Sequence, residues 1–340
     1  MWALPPFSIP AEHAPLPHIP SDLTQESLMK RSDFIAIILA VLFTLLSASQ
    51  AFAHGFAGKR FFPATIQTDD PFVADELSLP TVSTILNPAA GDTPQTRETD
   101  VGVAVAKRIT PNFGVELADQ RQRLSPEGAM TLTGFSNLEA TFKYQLVTDK
   151  EHETIVSVGV SSEIGGSGSK DVGADSFSTI TPTVWFGKGF GDVSNDHPLL
   201  KPFAVTGVIG VGFPSSNSTI NDTGDIEQHP HVLHTDFAIQ YSLIYLQSFV
   251  KDVGLSAPFN RLVALIEFSF QTPLDRGQSG QTTGTINPGV IWAGQHFQIG
   301  AEAIIPANAR TGHNVGAVVQ LHFFIDDLFP NSIGKPLFGK

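Results

Sequence analysis

Three histidines stand at metal-binding spacing in EQHPHVLHTD: His229, His231 and His234. Neutral imidazoles spaced this way can share a transition-metal ion, with Glu227 or Asp236 as a further ligand. The same pattern also occurs as metal-free histidines of a surface loop, and both readings stay open. A second set is polar rather than reactive. Glu116, Glu139, Lys143, Gln145, Glu267, Gln271, Glu302, Gln320 and His322 recur on alternate positions of otherwise apolar segments. Glu139 and Lys143 are roughly 13 Å apart along an extended chain, too far to pair within one strand. Such residues suit a wet lining with sparse charge. No G-x-S-x-G, P-loop or dinucleotide fingerprint accompanies them, so no catalytic role and no cofactor is expected.

The elements that carry these residues alternate with period 2 from about Leu77 to Ile325, the signature of half-buried strands. Twelve strands are expected: 77–86 (weakened by Pro80), 100–108, 112–118, 137–147, 154–164, 178–188, 203–213, 236–249, 261–271, 283–292, 296–305 and 314–325. In the fourth, Leu138, Ala140, Phe142, Tyr144 and Leu146 oppose Glu139, Thr141, Lys143 and Gln145. Most segments run to about 9–14 residues, whereas globular strands average 5–6 and a tilted membrane strand needs about 9–11.

Connections alternate between long and short. Long ones such as GGSGSKDVGAD and PSSNSTINDTGD are polar, and 109–111 and 293–295 are tight. Membrane barrels have short turns at one end and longer loops at the other. The alternating faces also differ in kind: one carries Val, Leu, Ile and Phe, the other Ser, Thr, Gly, Gln and a few carboxylates. A charge facing lipid costs about 2–4 kcal/mol at mid-depth, so this partition suits an apolar outer wall and a wet lumen. A soluble sandwich with the sense reversed is the alternative. Inward Gly102, Ala104, Gly159, Gly210, Gly212, Gly289, Gly300 and Gly316 are expected to leave room for a passage.

Composition agrees with an exported chain. There is no cysteine, charged residues make up 16% against roughly 25% in soluble domains, and the net charge is −13. No basic run exceeds two residues, which argues against a nucleic-acid partner. The apolar run from Phe34 to Leu46 is shorter than the roughly 20 residues of a spanning helix. Lys30 and Arg31 precede it and Ala51-Phe52-Ala53 follows, so 29–53 reads as a signal peptide cleaved after Ala53. His54 would then offer an α-amine and an imidazole, a pair that can chelate copper.

At the last strand, NVGAVVQLHFFI resembles the terminal assembly signal of bacterial outer-membrane proteins, through Asn314, Gly316, Val319, Leu321 and Phe323. DDLFPNSIGKPLFGK follows where that pattern normally ends a chain. From Leu77 to Ile325 the chain resembles an outer-membrane β-barrel. By size and Gly-rich strands it also resembles the outer-membrane transporters grouped with the phenol-degradation (MetA-pathway) family. The resemblance implies a bacterial outer-membrane location reached by the general secretory route, outer-membrane lipids and the barrel-assembly machinery as partners, and passage of small molecules, apolar or aromatic ones among them.

The expected fold is all-β: a closed antiparallel up-and-down transmembrane β-barrel of about 12 strands behind a cleaved signal peptide. Residues 1–28 are expected to be either a stretch upstream of a true start at Met29 or a disordered leader, 54–76 a periplasmic segment or plug, 77–325 the barrel and 326–340 a periplasmic tail. The expected function is a passive pore or transporter. The alternative is a structural or surface-binding barrel with a filled lumen. A barrel phospholipase, which works with Ser, His and Asn, stands behind both, because His322 lies on the polar face away from the outer wall.

Overall fold

The computed structural model describes residues 55–89, 94–220 and 224–339. The leader, the signal peptide and His54 lie outside the described residues. Twelve long strands form the wall: β1 (Glu76–Asn87), β2 (Thr96–Thr110), β3 (Phe113–Pro126), β4 (Leu138–Asp149), β5 (Thr154–Ile164), β6 (Thr179–Gly189), β7 (Phe203–Pro214), β8 (Val232–Ser242), β9 (Leu262–Pro273), β10 (Thr283–Ala293), β11 (Phe297–Pro306) and β12 (Gly316–Phe324). Each pairs antiparallel with its neighbours in sequence, and β12 pairs with β1, where Ala317 faces Thr84 and Phe324 faces Glu76. The sheet is a closed barrel. A short strand, Leu132–Phe135, adds to the far end of β3. Closure leaves no long apolar edge unpaired, as a wall in lipid requires.

The alternation sets the sense of the wall. Val105 and Leu117 are 49% and 50% exposed on the outside, whereas inward Glu267 and Asn287 are 0% exposed. This is apolar-out and polar-in, the reverse of a soluble sandwich. Aromatics pair across the outer face, with Phe237 stacked on Phe268 at 4.5 Å and Phe203 edge-on to Tyr241 at 4.7 Å. No described helix is long and apolar enough to cross a membrane; the crossing elements are strands. Pro80 offers no N–H to the ladder, and the β1 register shifts between Ser78 and Thr81.

Two strand expectations need correction. The eighth strand ends at Ser242, not at 249. Ser242 Oγ accepts a hydrogen bond from the Tyr245 N–H at 3.1 Å and caps a helical turn, which continues to Val250 as a broader turn closed by the Lys251 N–H on Leu246 O. The apparent alternation through Leu243 and Tyr245 belongs to that turn. Conversely, β2 and β3 extend past their expected ends, because pairing continues from Val101–Arg121 out to Thr96–Pro126 through residues that are no longer apolar.

Both ends of the described chain lie at the short-turn end. Residues 56–57 and 60–61 form a small hairpin, and 62–75 then run along the inner wall to β1. Phe62 packs on Phe72, and with Ala57, Ile155 and Ala204 they make the apolar core, which sits inside the barrel. After β12 the tail folds back. Leu337 N–H donates to Arg108 O and Phe338 N–H to Ile109 O, beside the β2–β3 turn.

Candidate functional site

The lumen divides into two halves. Toward the long loops lies a cavity of about 850 Å³, within the range of small-molecule sites. Its walls come from Ser, Thr, Asn and Gln side chains and from Asp69, Asp70, Glu76, Asp100, Glu116, Glu139 and Glu163; no Lys or Arg lines it. Glu139 is solvent-exposed although it points inward. The result is an acidic cup whose floor is residues 64–70.

Below the floor the barrel is filled by the N-terminal segment, held by inward side chains of many strands. Glu267 on β9 accepts three consecutive backbone N–H groups: Ile66 at 3.0 Å, Gln67 at 2.6 Å and Thr68 at 3.0 Å. Gln298 on β11 donates to the carbonyl of Ala64, and Ser157 on β5 donates to that of Pro71. Gln145 on β4 accepts the Val73 N–H at 3.2 Å. Lys143 Nζ reaches Asp69 Oδ1 at 2.9 Å and the Asp70 carbonyl at 2.6 Å, while Trp185 Nε1 donates to Asp69 Oδ2 at 2.6 Å. Trp185 therefore faces the lumen. Asp75 closes the segment by pairing with Lys107 at 2.7 Å and Arg108 at 2.8 Å.

Small wall residues admit this filling. A Cβ on Gly300 would stand 2.7 Å from Ile66 Cδ1, and one on Gly114 3.0 Å from Val73 Cγ1. Gly289 makes room for Glu302 from the next strand instead. In this half the glycines receive the segment and the wall's own side chains, and they leave no passage there.

At the short-turn end a second set of contacts fixes the hairpin. Arg60 Nε lies 3.2 Å from Glu153 Oε2, Arg60 donates at 3.0 Å to the Pro202 carbonyl and also to Lys201 O, and its guanidinium lies 3.8 Å over the Tyr245 ring. Tyr245 Oη donates to Glu153 Oε1 at 2.8 Å. Burial, then the Glu153 hydrogen bond, push the Tyr245 hydroxyl up to about 12. Burial also lowers the Arg60 pKa, with the Glu153 charge opposing that shift.

The polar residues expected in the lining thus have two fates. Glu116, Glu139, Gln271, Gln320 and His322 face the cup. Lys143, Gln145 and Glu267 grip the N-terminal segment, and Glu302 is buried beside Glu267 and Asn287. The three loop histidines separate. His229 bonds Thr219 Oγ1 at 2.9 Å and stacks on Phe177, His231 Nδ1 lies 2.5 Å from Asp275 Oδ2, and His234 faces the cup from β8. Among the described residues no group of three metal-ligating side chains converges. His322 Nδ1 is 2.9 Å from Ser78 Oγ, inside the barrel and away from the outer wall where a lipid-cleaving site would sit. Sequence reasoning missed Asp69 and Asp75, which lie in a stretch without periodicity.

No family model and no curated protein sequence matches the chain. Among solved structures, an outer-membrane channel from Pseudomonas putida F1 aligns over 78% of this chain and 99% of its own, at 10% identity and a TM-score of 0.53. The chain folds as an outer-membrane β-barrel. The NanC porin (9% identity, 72% of this chain and 98% of its own, TM-score 0.43) and the KdgM porin (11% identity, 72% and 97%, TM-score 0.41) are more distant in shape. None of these likenesses extends beyond the fold to a function.

Proposed function

We propose that the protein is an outer-membrane pore for small hydrophilic solutes, with the short turns in the periplasm and the long loops outside. Residues 55–75 act as its plug. The observation that carries this reading is the acidic, solvent-reached cup of about 850 Å³ closed beneath by a segment of the same chain. Solute enters from the long-loop end, and passage requires the floor at 64–70 to shift. Carboxylates between low-dielectric walls concentrate cations, so cationic and neutral polar solutes are favoured over anions. The lining does not favour the apolar or aromatic molecules that family resemblance implies.

A second reading, a structural barrel with a filled lumen, is favoured by the density of contacts between residues 62–75 and the wall. Liposome swelling separates the two. Swelling with small sugars and amino acids supports the pore; none, in either the wild type or a variant lacking the plug, leaves the filled barrel.

A further inference from the structure

The β2–β3 hairpin is longer than a wall requires. Its strands run 15 and 14 residues, where roughly 9–11 suffice to span. Pairing runs without a register shift from Thr96–Pro126 to Arg108–Gly114, so parity fixes which side chains face outward. Val101, Val103, Val105 and Leu117 face out, and Arg97, Arg121 and Arg123 share their parity and are exposed. Arg121 lies opposite Val101, Arg123 opposite Thr99 and Arg97 opposite Ser125. Same-face neighbours on a strand are about 7 Å apart, and diagonal ones roughly 7–8 Å. Three guanidiniums therefore share one patch at the upper edge of the apolar wall.

Among the described residues none of the three has an ion pair, whereas outward Lys107 and Lys188 at the opposite end pair with Asp75 and Asp192. Asp119, the next outward residue below Arg121, accepts hydrogen bonds from the Gln120 N–H at 2.7 Å and Ser136 Oγ at 3.4 Å. Phe135, opposite Arg121 on the short added strand, is 52% exposed and sets an apolar ring beside the patch. Other strands end on this side in uncharged residues such as Leu86, Ile180 and Phe213. Among the wall strands, this hairpin alone carries outward Lys or Arg at this end; the other cations there, Lys170, Arg276 and Arg310, belong to loops.

Arginine forks match phosphate oxygens two at a time, and basic clusters at a membrane boundary bind anionic headgroups. We propose that Arg97, Arg121 and Arg123 form a binding site on the outer wall for the phosphates of an outer-leaflet glycolipid. This rests on the membrane orientation proposed above.

The test is native mass spectrometry of the full-length barrel in detergent, titrated with bisphosphorylated lipid A, dephosphorylated lipid A and phosphatidylglycerol. Lipid A is expected to bind at least tenfold tighter than either comparison lipid. The triple variant R97Q/R121Q/R123Q should lose that preference while keeping the heat-dependent gel shift of a folded barrel. Equal binding of the dephosphorylated lipid, or an unchanged triple variant, would overturn the site. A preference for phosphatidylglycerol would overturn the glycolipid assignment. Finding the protein outside the outer-membrane fraction would instead defeat the orientation beneath it, whatever the binding result.

Discussion

Lys143 Nζ lies 2.9 Å from Asp69 Oδ1, joining the inner face of β4 to the segment that crosses the lumen. The ammonium is 9% exposed and the carboxylate 39%, so one partner is desolvated and the other faces the cup. The pair thus links floor and wall while leaving Asp69 in contact with solvent. Asp69→Ala leaves Lys143 with the Asp70 carbonyl but without its carboxylate, and takes the acceptor from Trp185 Nε1, at a cost of roughly 1–3 kcal/mol to docking of the segment. Single-channel recordings of this variant are expected to show more frequent openings than the wild type.

Glu267 holds three consecutive N–H groups with two oxygens. Glu267→Ala leaves those donors unpaired in a buried place, again on the order of 1–3 kcal/mol for each group left unsatisfied. Hydrogen exchange at residues 66–68 should accelerate strongly in the alanine variant and less in Glu267→Gln, which keeps one acceptor. Unchanged exchange would mean the loop is held by other contacts.

Gly300 faces Ile66 without room for a side chain. Gly300→Val should therefore displace the floor; on the wall the added Cβ first meets the Ile291 side chain of β10, at 3.2 Å, so the backbone ladder should stay intact. Increased protease cleavage within 55–75, with an unchanged heat-dependent gel shift, is the expected result. Loss of the gel shift would show that the glycine serves the wall itself.

The Arg60–Glu153–Tyr245 contacts give a pH dependence with a definite sign. An unfolded tyrosine ionises near 10, whereas Tyr245 resists to about 12 because it is buried and donates to Glu153. A raised pKa means that its stabilisation is complete below about pH 10 and is lost as pH rises toward 12. Proteolytic release of the 56–61 hairpin should increase across that window, and Tyr245→Phe should remove this dependence.

The barrel was legible because strict alternation leaves few other readings, and β4 and β9 fall close to where the pattern puts them. The misread parts share a cause. In β8 the alternation ran on through Leu243 and Tyr245, although Ser242 had already turned the chain. In β2 and β3 it faded where arginines replaced valines, although the ladder continued. H-x-H-x-x-H left open whether the three histidines share a metal, and the placement differs: His234 lies in a strand that faces the lumen while His229 and His231 remain in the loop. The N-terminal segment was legible only as an exception. RFFPATIQTDDPFVADE has no period, and its partners are scattered singly on strands distant in sequence, such as β11, whose Gln298 lies 234 residues from Ala64.

The cup predicts charge selectivity. Glu116 and Glu139 line it with no Lys or Arg among the lining residues. Bilayers holding the protein between unequal KCl solutions should show a reversal potential of cation-selective sign. Glu116→Gln with Glu139→Gln should move it toward zero, and an anion-selective wild type would refute the proposed role of these carboxylates.

In the proposed pore, residues 55–75 close an otherwise open barrel. Single-channel conductance of the full-length protein, compared with a variant lacking 55–74 that retains its heat-dependent gel shift, tests it most directly. Small or intermittent currents are expected with the segment present and a severalfold larger, steady conductance without it. Equal conductance in the two proteins, or none in either, would contradict it.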